Sequence, residues 1–215
     1  YKEFLVDPAA WWRQYLSRGA DPARAEFRDA IERARPNAAH AALVELERAG
    51  VLKHTITQNV DDLHRQAGSV KLTEIHGNRK LVRCIGCEAR WPRAGIAPDA
   101  FPPSCALCGG LVKSDSVMFG EPIPRAALES ARLETSRCDC MLLVGTSATV
   151  MPSASFPRDV LSRSGCVIEI NPEPTALSEQ ADVVLRAGAG TAMAMLARRV
   201  RELDKLRKSG WATGK

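Results

Sequence analysis

The sequence predicts an α/β protein: a Rossmann-like parallel sheet with helices on both faces, plus a small inserted metal-held module. Three observations predict it. Short apolar stretches without a polar face alternate with helical stretches in the second half of the chain, which is the pattern of parallel strands covered on both sides. Residues 77 to about 113, with paired cysteines and four prolines (Pro92, Pro98, Pro102, Pro103), interrupt that pattern. The 215 residues, 45% of them hydrophobic, suffice for one good-sized core or a core with a small satellite.

Each element has a local reason. Asp7-Pro8 and Asp21-Pro22 place a capping carboxylate before a proline at the first helical position, so two short helices fill 7–35. Asn37 caps an alanine- and leucine-rich helix to residue 49 that Gly50 ends, and 51–57 turns apolar and β-branched like a buried strand. The alternation resumes with a helix over 125–136, a strand over 141–145, a helix over 156–163, strands over 166–170 and 183–185, and a helix over 191–206. The residues after Leu206 read as frayed. The resulting division is a helical part of a small domain at 1–36, a Rossmann-like domain at 37–76 and 118–215, and a cysteine module at 77–117.

Charge narrows the partners. Thirty Lys and Arg against 25 Asp and Glu give +5, but much of the excess sits in Arg198, Arg199, Arg201, Lys205, Arg207 and Lys208, the solvated face of one helix. Such an excess helps approach to acidic partners, yet it lacks the dense basic stripe of a direct nucleic-acid binder. No apolar run approaches the roughly 20 residues that cross a bilayer, and no cleavable leader opens the chain, so the protein reads as soluble and cytoplasmic with no membrane partner. It begins at Tyr1 and not at methionine, which leaves a fragment of a longer protein as one expectation.

Seven cysteines are present, and four of them form Cys84-x-x-Cys87 and Cys105-x-x-Cys108 with 17 residues between the pairs (88–104). In a reducing compartment that spacing points to a zinc ribbon before a disulfide. Four thiolates leave no open position for water, so one structural Zn²⁺ per chain is expected. Gly86 and the Gly109-Gly110 pair suit the tight turns that aim backbone amides at sulfur. Cys138, Cys140 and Cys166 lack such spacing and read as core or surface thiols.

The polar stretch TQNVDDLHRQAG (57–68) directly follows an expected buried strand, and the ends of parallel strands are where such sheets bind ligands. EIHG (74–77) precedes the cysteines. VMFGEPIP (117–124), GTSATVMP (145–152) and EINPEPT (169–175) follow them. Together, in this order and around a zinc ribbon, these segments resemble the sirtuin family of NAD-dependent protein-lysine deacylases. The resemblance implies that Gln58 and His76 hydrogen-bond the nicotinamide ribose, with His76 as general base. An imidazole with an ordinary pKa near 6.5 suits that role. It further implies that Asn59 and Asp61 receive the nicotinamide carboxamide, with a main-chain contact from Val60. Gly145, Thr146 and Ser147 would approach phosphate or ribose oxygens, Asn171 the adenine ribose, and Ala189 the adenine through its backbone. A plain turn is the other reading of Ala189.

Val117, Met118, Phe119 and Gly120 resemble the segment that pairs its backbone with acylated-lysine proteins or peptides as an added strand, a mode loose in sequence preference. Phe119 would line the acyl-lysine tunnel, and a core position suits it equally. The chemistry implied has the acyl oxygen attack the ribose carbon as nicotinamide leaves; His76 then helps activate a ribose hydroxyl to collect the acyl group. Lysine, nicotinamide and acyl-ADP-ribose result. Tyr15 and Arg18, three residues apart on a helix, resemble the pair by which one sirtuin branch grips succinyl and malonyl groups, since a guanidinium pairs bidentately with a distal carboxylate. Acetyl-lysine is the default.

Two departures stand out. The family's GAGxS loop, which cradles the pyrophosphate, and its GIPxFR-type segment do not occur here, so the chain as given is expected to bind NAD poorly. Ser114 and Ser116 replace a more usual proline and apolar residue, and no chemistry is read there. A catalytically impaired fragment, mono-ADP-ribosyl transfer and a zinc-ribbon interaction module are the alternatives. The last leaves TQNVD, EIHG and GTS unexplained.

Overall fold

The computed structural model describes residues 1–17, 22–96 and 101–209. Helices α1 (Lys2–Val6), α2 (Pro8–Leu16), α3 (Pro22–Arg33) and α4 (Ala38–Arg48) come first, followed by β1 (Thr55–Thr57), α5 (Leu63–Ala67) and β2 (Leu72–Glu74). Strands β3 (Leu81–Cys84), β4 (Arg90–Pro92) and β5 (Val112–Ser114) carry the cysteine interval. Then come α6 (Arg125–Arg137), β6 (Cys140–Val144), α7 (Phe156–Leu161), β7 (Cys166–Ile170), β8 (Val183–Leu185) and α8 (Ala189–Lys208). The backbone groups into two compact units: Tyr1–Arg35, Ile56–Leu63 and Thr73–Leu128 form one, while Pro36–Thr55, His64–Leu72 and Glu129–Lys215 form the other.

In the first unit, Asp7 caps α2 by accepting the Ala10 N–H at 2.8 Å, as the Asp-Pro pair predicts. The corresponding cap at Asp21 lies outside the described residues. α2 buries Trp12, whose indole N–H donates to the Val112 carbonyl at 2.8 Å, against Phe4, Val82, Cys84 and Cys105. Strands β4, β3 and β5 form an antiparallel sheet in that order. Its register sets Cys84 opposite Val112 and Arg83 opposite Lys113. The period of two then turns Val82, Cys84 and Val112 to the aromatic cluster and Arg83 and Lys113 to the opposite face.

The second unit is built on a parallel sheet in the order β6-β7-β8. Leu142, Val144, Ile168 and Ile170 face α4 and α8 through Ala39, Ala42, Leu46, Met193 and Ala197, while Met141, Leu143 and Val167 meet Val160 of α7 and Leu177. Both faces are apolar and covered, which is why these strands read as continuous hydrophobic runs. α4 begins with a capping box in which the Asn37 side chain accepts from His40 N–H and His40 Nδ1 accepts from Asn37 N–H.

Three expectations need correction. The strand expected over 51–57 is confined to β1, because the N–H groups of Val51 and Leu52 both turn back to the Leu46 carbonyl and finish α4. α8 continues to Lys208 instead of fraying after Leu206, with Asp204 paired to Arg207 and Lys208 in its last turns. α1 was not foreseen. Residues 56–63, 73–76 and 118–128 fold with the cysteine strands, where Glu74 and Asn78 are tied to Arg90 and Asp115.

Candidate active site

The four paired thiols converge. Their Sγ atoms all lie within 4.8 Å of one another, with Cys84 and Cys108 at 3.4 Å and Cys87 and Cys105 at 3.7 Å. Tetrahedral Zn–S bonds of about 2.3 Å set sulfurs about 3.8 Å apart, so the donor set fits zinc. The backbone is shaped for it: the Gly86 N–H points at Cys84 Sγ from 3.3 Å, and a Cβ on Gly110 would meet Cys84 and Cys108 sulfurs at 3.1 and 3.2 Å. Burial alone would push the Cys84 thiol up, but amides of Cys87 and Gly86 and the neighbouring thiols pull it down to about 7, toward the thiolate that a metal needs.

His76 stands at the turn after β2. Its Nδ1 lies 3.3 Å from the Gln58 carbonyl, and because a carbonyl only accepts, Nδ1 carries the hydrogen and Nε2 keeps its lone pair. Burial lowers the His76 pKa from 6.5, with the Gln58 bond opposing, so the ring is neutral at pH 7. The His76 carbonyl accepts the Val117 N–H at 2.8 Å, which ties the 117–120 segment to the histidine's own backbone. Around it, the Asp61 carboxylate caps α5 by accepting the Leu63 N–H at 3.0 Å, the Asn59 N–H donates to Thr57 Oγ1 at 3.1 Å, and the Val60 carbonyl accepts the Arg79 N–H at 2.9 Å. Phe119 is fully exposed and Gly120, at φ +76, has open space where a side chain would be. Tyr15 stacks on Trp11, and its hydroxyl accepts from Arg93 at 3.4 Å; Arg18 lies outside the described residues.

The second unit holds the other expected residues at the carboxyl ends of its strands. Gly145 follows β6 at φ +60 with its N–H on the Ile170 carbonyl at 3.0 Å, and Thr146 Oγ1 accepts the Ala148 N–H at 3.2 Å. Ser147 and Thr149 hydroxyls are 2.9 Å apart. Asn171 follows β7 and donates to the Thr146 carbonyl at 3.2 Å, so the two strand ends are tied. Ala189 opens α8, where Gly188 supplies no side-chain cap and the first amides keep their positive end of the dipole.

Residues 2–152 match the Sir2 family, and a protein of Thermococcus kodakarensis named an NAD-dependent protein deacylase is 48% identical over 206 residues, 93% of this chain and 77% of that one. The chain belongs to the sirtuins. A Sir2 homologue solved with NAD superposes on this sirtuin with a TM-score of 0.76 at 41% identity, covering 94% of this chain and 75% of that one. A Sir2 solved with a p53 peptide and NAD⁺ gives 0.70 at 30% identity, covering 95% and 81%. The sirtuin α/β class and a four-cysteine site fit for zinc are those the sequence implied. Among the described residues no helix is long and apolar enough to cross a membrane.

The sequence reading missed a set of buried charges behind the site. Arg83, Lys113, Asp115, Glu121 and Glu74 are all nearly or wholly buried. The available signal was a charge at an inward position in each of two short apolar strands, Arg83 in LVRC and Lys113 in LVKS. In the second unit Glu169, on β7 and the first residue of the EINPEPT motif, is 1% exposed and accepts from Thr175, Ser178 and Arg186.

Proposed function

We propose that this sirtuin removes acyl groups from lysines of acylated proteins or peptides in an NAD-dependent reaction, with acetyl-lysine as the default substrate and His76 as general base. The observation that carries the reading is the fixed tautomer of His76: the Gln58 carbonyl holds Nδ1–H and leaves Nε2 as a base that is neutral at cellular pH. NAD, when bound, supplies the ribose carbon that loses nicotinamide and receives the acyl oxygen. Gln58 and His76 orient the ribose, and Nε2 takes a proton from its hydroxyl. Asn59, Val60 and Asp61 receive the carboxamide, on a loop whose bonds to Thr57, Leu63 and Arg79 hold its shape. Gly145, Thr146, Ser147, Asn171 and Ala189 serve phosphate, ribose and adenine. Val117 to Gly120 take the peptide by strand addition, and Phe119, exposed and apolar, takes the lysine stem. A role for Tyr15 and Arg18 in acidic-acyl selection rests on their sequence pattern. Seven cysteines, four of them assigned to zinc and none paired in a disulfide, suit the reducing cytoplasm proposed as the location.

The test is His76→Ala in the zinc-loaded enzyme. Loss of a general base lowers kcat by about 10²–10⁴-fold, with zinc content and melting temperature held. The wild-type rate should fall on the acid side only below pH 6.5, since the ring's pKa is lowered from that value. A His76→Ala variant that turns over at the wild-type rate removes the assignment.

A further inference from the structure

The small antiparallel sheet has one face that is not apolar, although it is buried. Arg83 and Lys113 sit directly opposite each other on β3 and β5, an arrangement of like charges that repels unless something bridges it. Glu121 bridges it: Oε1 accepts from Arg83 Nη2 at 2.5 Å and Oε2 lies 3.0 Å from Lys113 Nζ. Asp115 takes the other side of Arg83, Nε to Oδ1 at 3.2 Å, and also accepts from Arg90 at 2.5 Å. Arg90 reaches Glu74 at 3.2 Å. Three cations and three carboxylates thus balance. The Lys113 ammonium has no exposed side-chain surface and completes its bonding with the Ser114 and Ser116 carbonyls at 2.6 and 2.7 Å.

Glu121 and Asp115 also hold pieces of backbone in the candidate active site, and Glu74 holds a side chain there. Glu121 Oε2 accepts the Met118 N–H at 2.9 Å. Asp115 Oδ2 accepts the Asn78 N–H at 2.8 Å, and the Asn78 amide donates to Glu74 at 2.6 Å and to Asp62 at 2.7 Å. The segments carrying 58–61, His76 and 117–120 therefore share one ionic frame. β3 bears Arg83 in that frame and, at the next residue, the thiol Cys84 of the zinc-site set.

We infer that this ionic face is a positioning device for the acyl-peptide, with Glu121 as the positioning residue that sets the register of Met118 to Gly120. The inference rests on the reading of 117–120 as the peptide-binding segment. Glu121 touches neither peptide nor NAD; it acts through the Met118 amide. A backbone amide fixed on one side by a buried carboxylate presents its strand in one register, which an incoming strand needs if its lysine is to enter at the right residue.

Two variants test it by steady-state kinetics of the zinc-loaded enzyme. In Glu121→Gln the amide oxygen goes to Arg83, the stronger donor, and the NH₂ then faces the Met118 N–H, which loses its acceptor. In Glu121→Asp the charge balance survives, so the fold is kept, but the shorter carboxylate follows Arg83 and Lys113 and no longer reaches Met118. Loss of one charge-assisted hydrogen bond predicts that peptide KM rises about tenfold in both, with NAD KM and kcat within about twofold. Zinc should stay at one per chain. If Glu121→Gln does not fold, Glu121→Asp decides alone. Unchanged peptide KM in zinc-loaded Glu121→Asp, or peptide and NAD KM rising together as a general loosening would cause, overturns the inference. Phe119→Ala separates the underlying reading: Phe119 is fully exposed, so its loss leaves the fold intact. If Phe119→Ala raises peptide KM while Glu121→Asp does not, only the positioning role fails; if Phe119→Ala has no effect, the peptide segment was misassigned and the inference falls with it.

Discussion

The two three-stranded sheets of this sirtuin solve the same problem by opposite means. The parallel sheet of the second unit covers both faces with apolar side chains from α4, α8 and α7, and the buried carboxylate on its middle strand, Glu169, is paired with Arg186. The antiparallel sheet of the first unit packs one face on Trp12 and Phe4 and fills the other with paired charges. Short strands of three or four residues bury too little apolar surface to hold themselves, and buried ion pairs only offset their own desolvation. The first unit therefore depends on a metal and on exact charge balance, whereas the second depends on area. Strong dependence on a few groups gives tight positional control, which is what a peptide register and a base require.

Zinc removal gives the largest effect and the sharpest break between the two. After chelation, or in Cys84→Ser, amide hydrogen exchange should lose protection across 81–92 and 112–120 and the deacylase rate should vanish, because metal binding and folding are one event in a small metallo-module. Protection at 140–144 and 166–170 should persist. Equal loss of protection in both sheets would show that the second does not stand on its own packing.

The difference also governs what was legible in the sequence. The strand at 166–170 and the helix caps at Asp7 and Asn37 could be read because each rests on local chemistry or on a continuous apolar run. The four thiols could be read from spacing. β3 and β5 could not, since their residues alternate between an apolar face and a charged one that looks like solvent but is buried. Nothing local announces that Lys113 meets Glu121, eight positions on, or that Arg83 and Asp115 meet across 32. The motif residues of the candidate site were recognisable as text. The carbonyl that sets the tautomer of His76 belongs to a residue 18 positions away and needed the fold.

Glycine substitutions give the next largest contrast. Gly77 and Gly145 both have left-handed φ, +77 and +60, so alanine strains either backbone by about 1–2 kcal/mol. At Gly145 the added methyl meets nothing within 4 Å. At Gly77 it falls 2.1 Å from the Asp115 carbonyl oxygen, a backbone atom held by the ionic frame that cannot step aside. Gly77→Ala should therefore cost about 3 kcal/mol or more, a fall in Tm of roughly 6–12 °C, against a third of that for Gly145→Ala. Similar shifts for the two would mean that the frame around Asp115 yields more readily than its burial implies.

The smallest effect is expected at Glu169, the second unit's counterpart to Glu121. Burial raises its pKa, but the donors Thr175, Ser178 and Arg186 outweigh burial and leave the carboxyl below its ordinary 4.5. A carboxylate with a lowered folded pKa stabilises the protein fully above the unfolded value and loses that contribution as pH falls through the folded one. Arg186 is 36% exposed, so water screens its share and the pair is worth less than a fully buried one. Glu169→Gln keeps the shape and can still accept from Ser178 or Arg186, while Thr175 can turn its hydroxyl to accept. The variant should lose about 1–2 kcal/mol at pH 7, read from urea midpoints, and the gap to wild type should narrow as pH drops below 4.5. In the first unit no such local remedy exists, because the amide in Glu121→Gln faces the Met118 donor and Lys113 with no hydroxyl to turn. A gap at Glu169 that is the same at pH 7 and well below 4.5 would mean that its charge contributes nothing, and that the second unit relies on apolar packing even more completely than this buried carboxylate suggests.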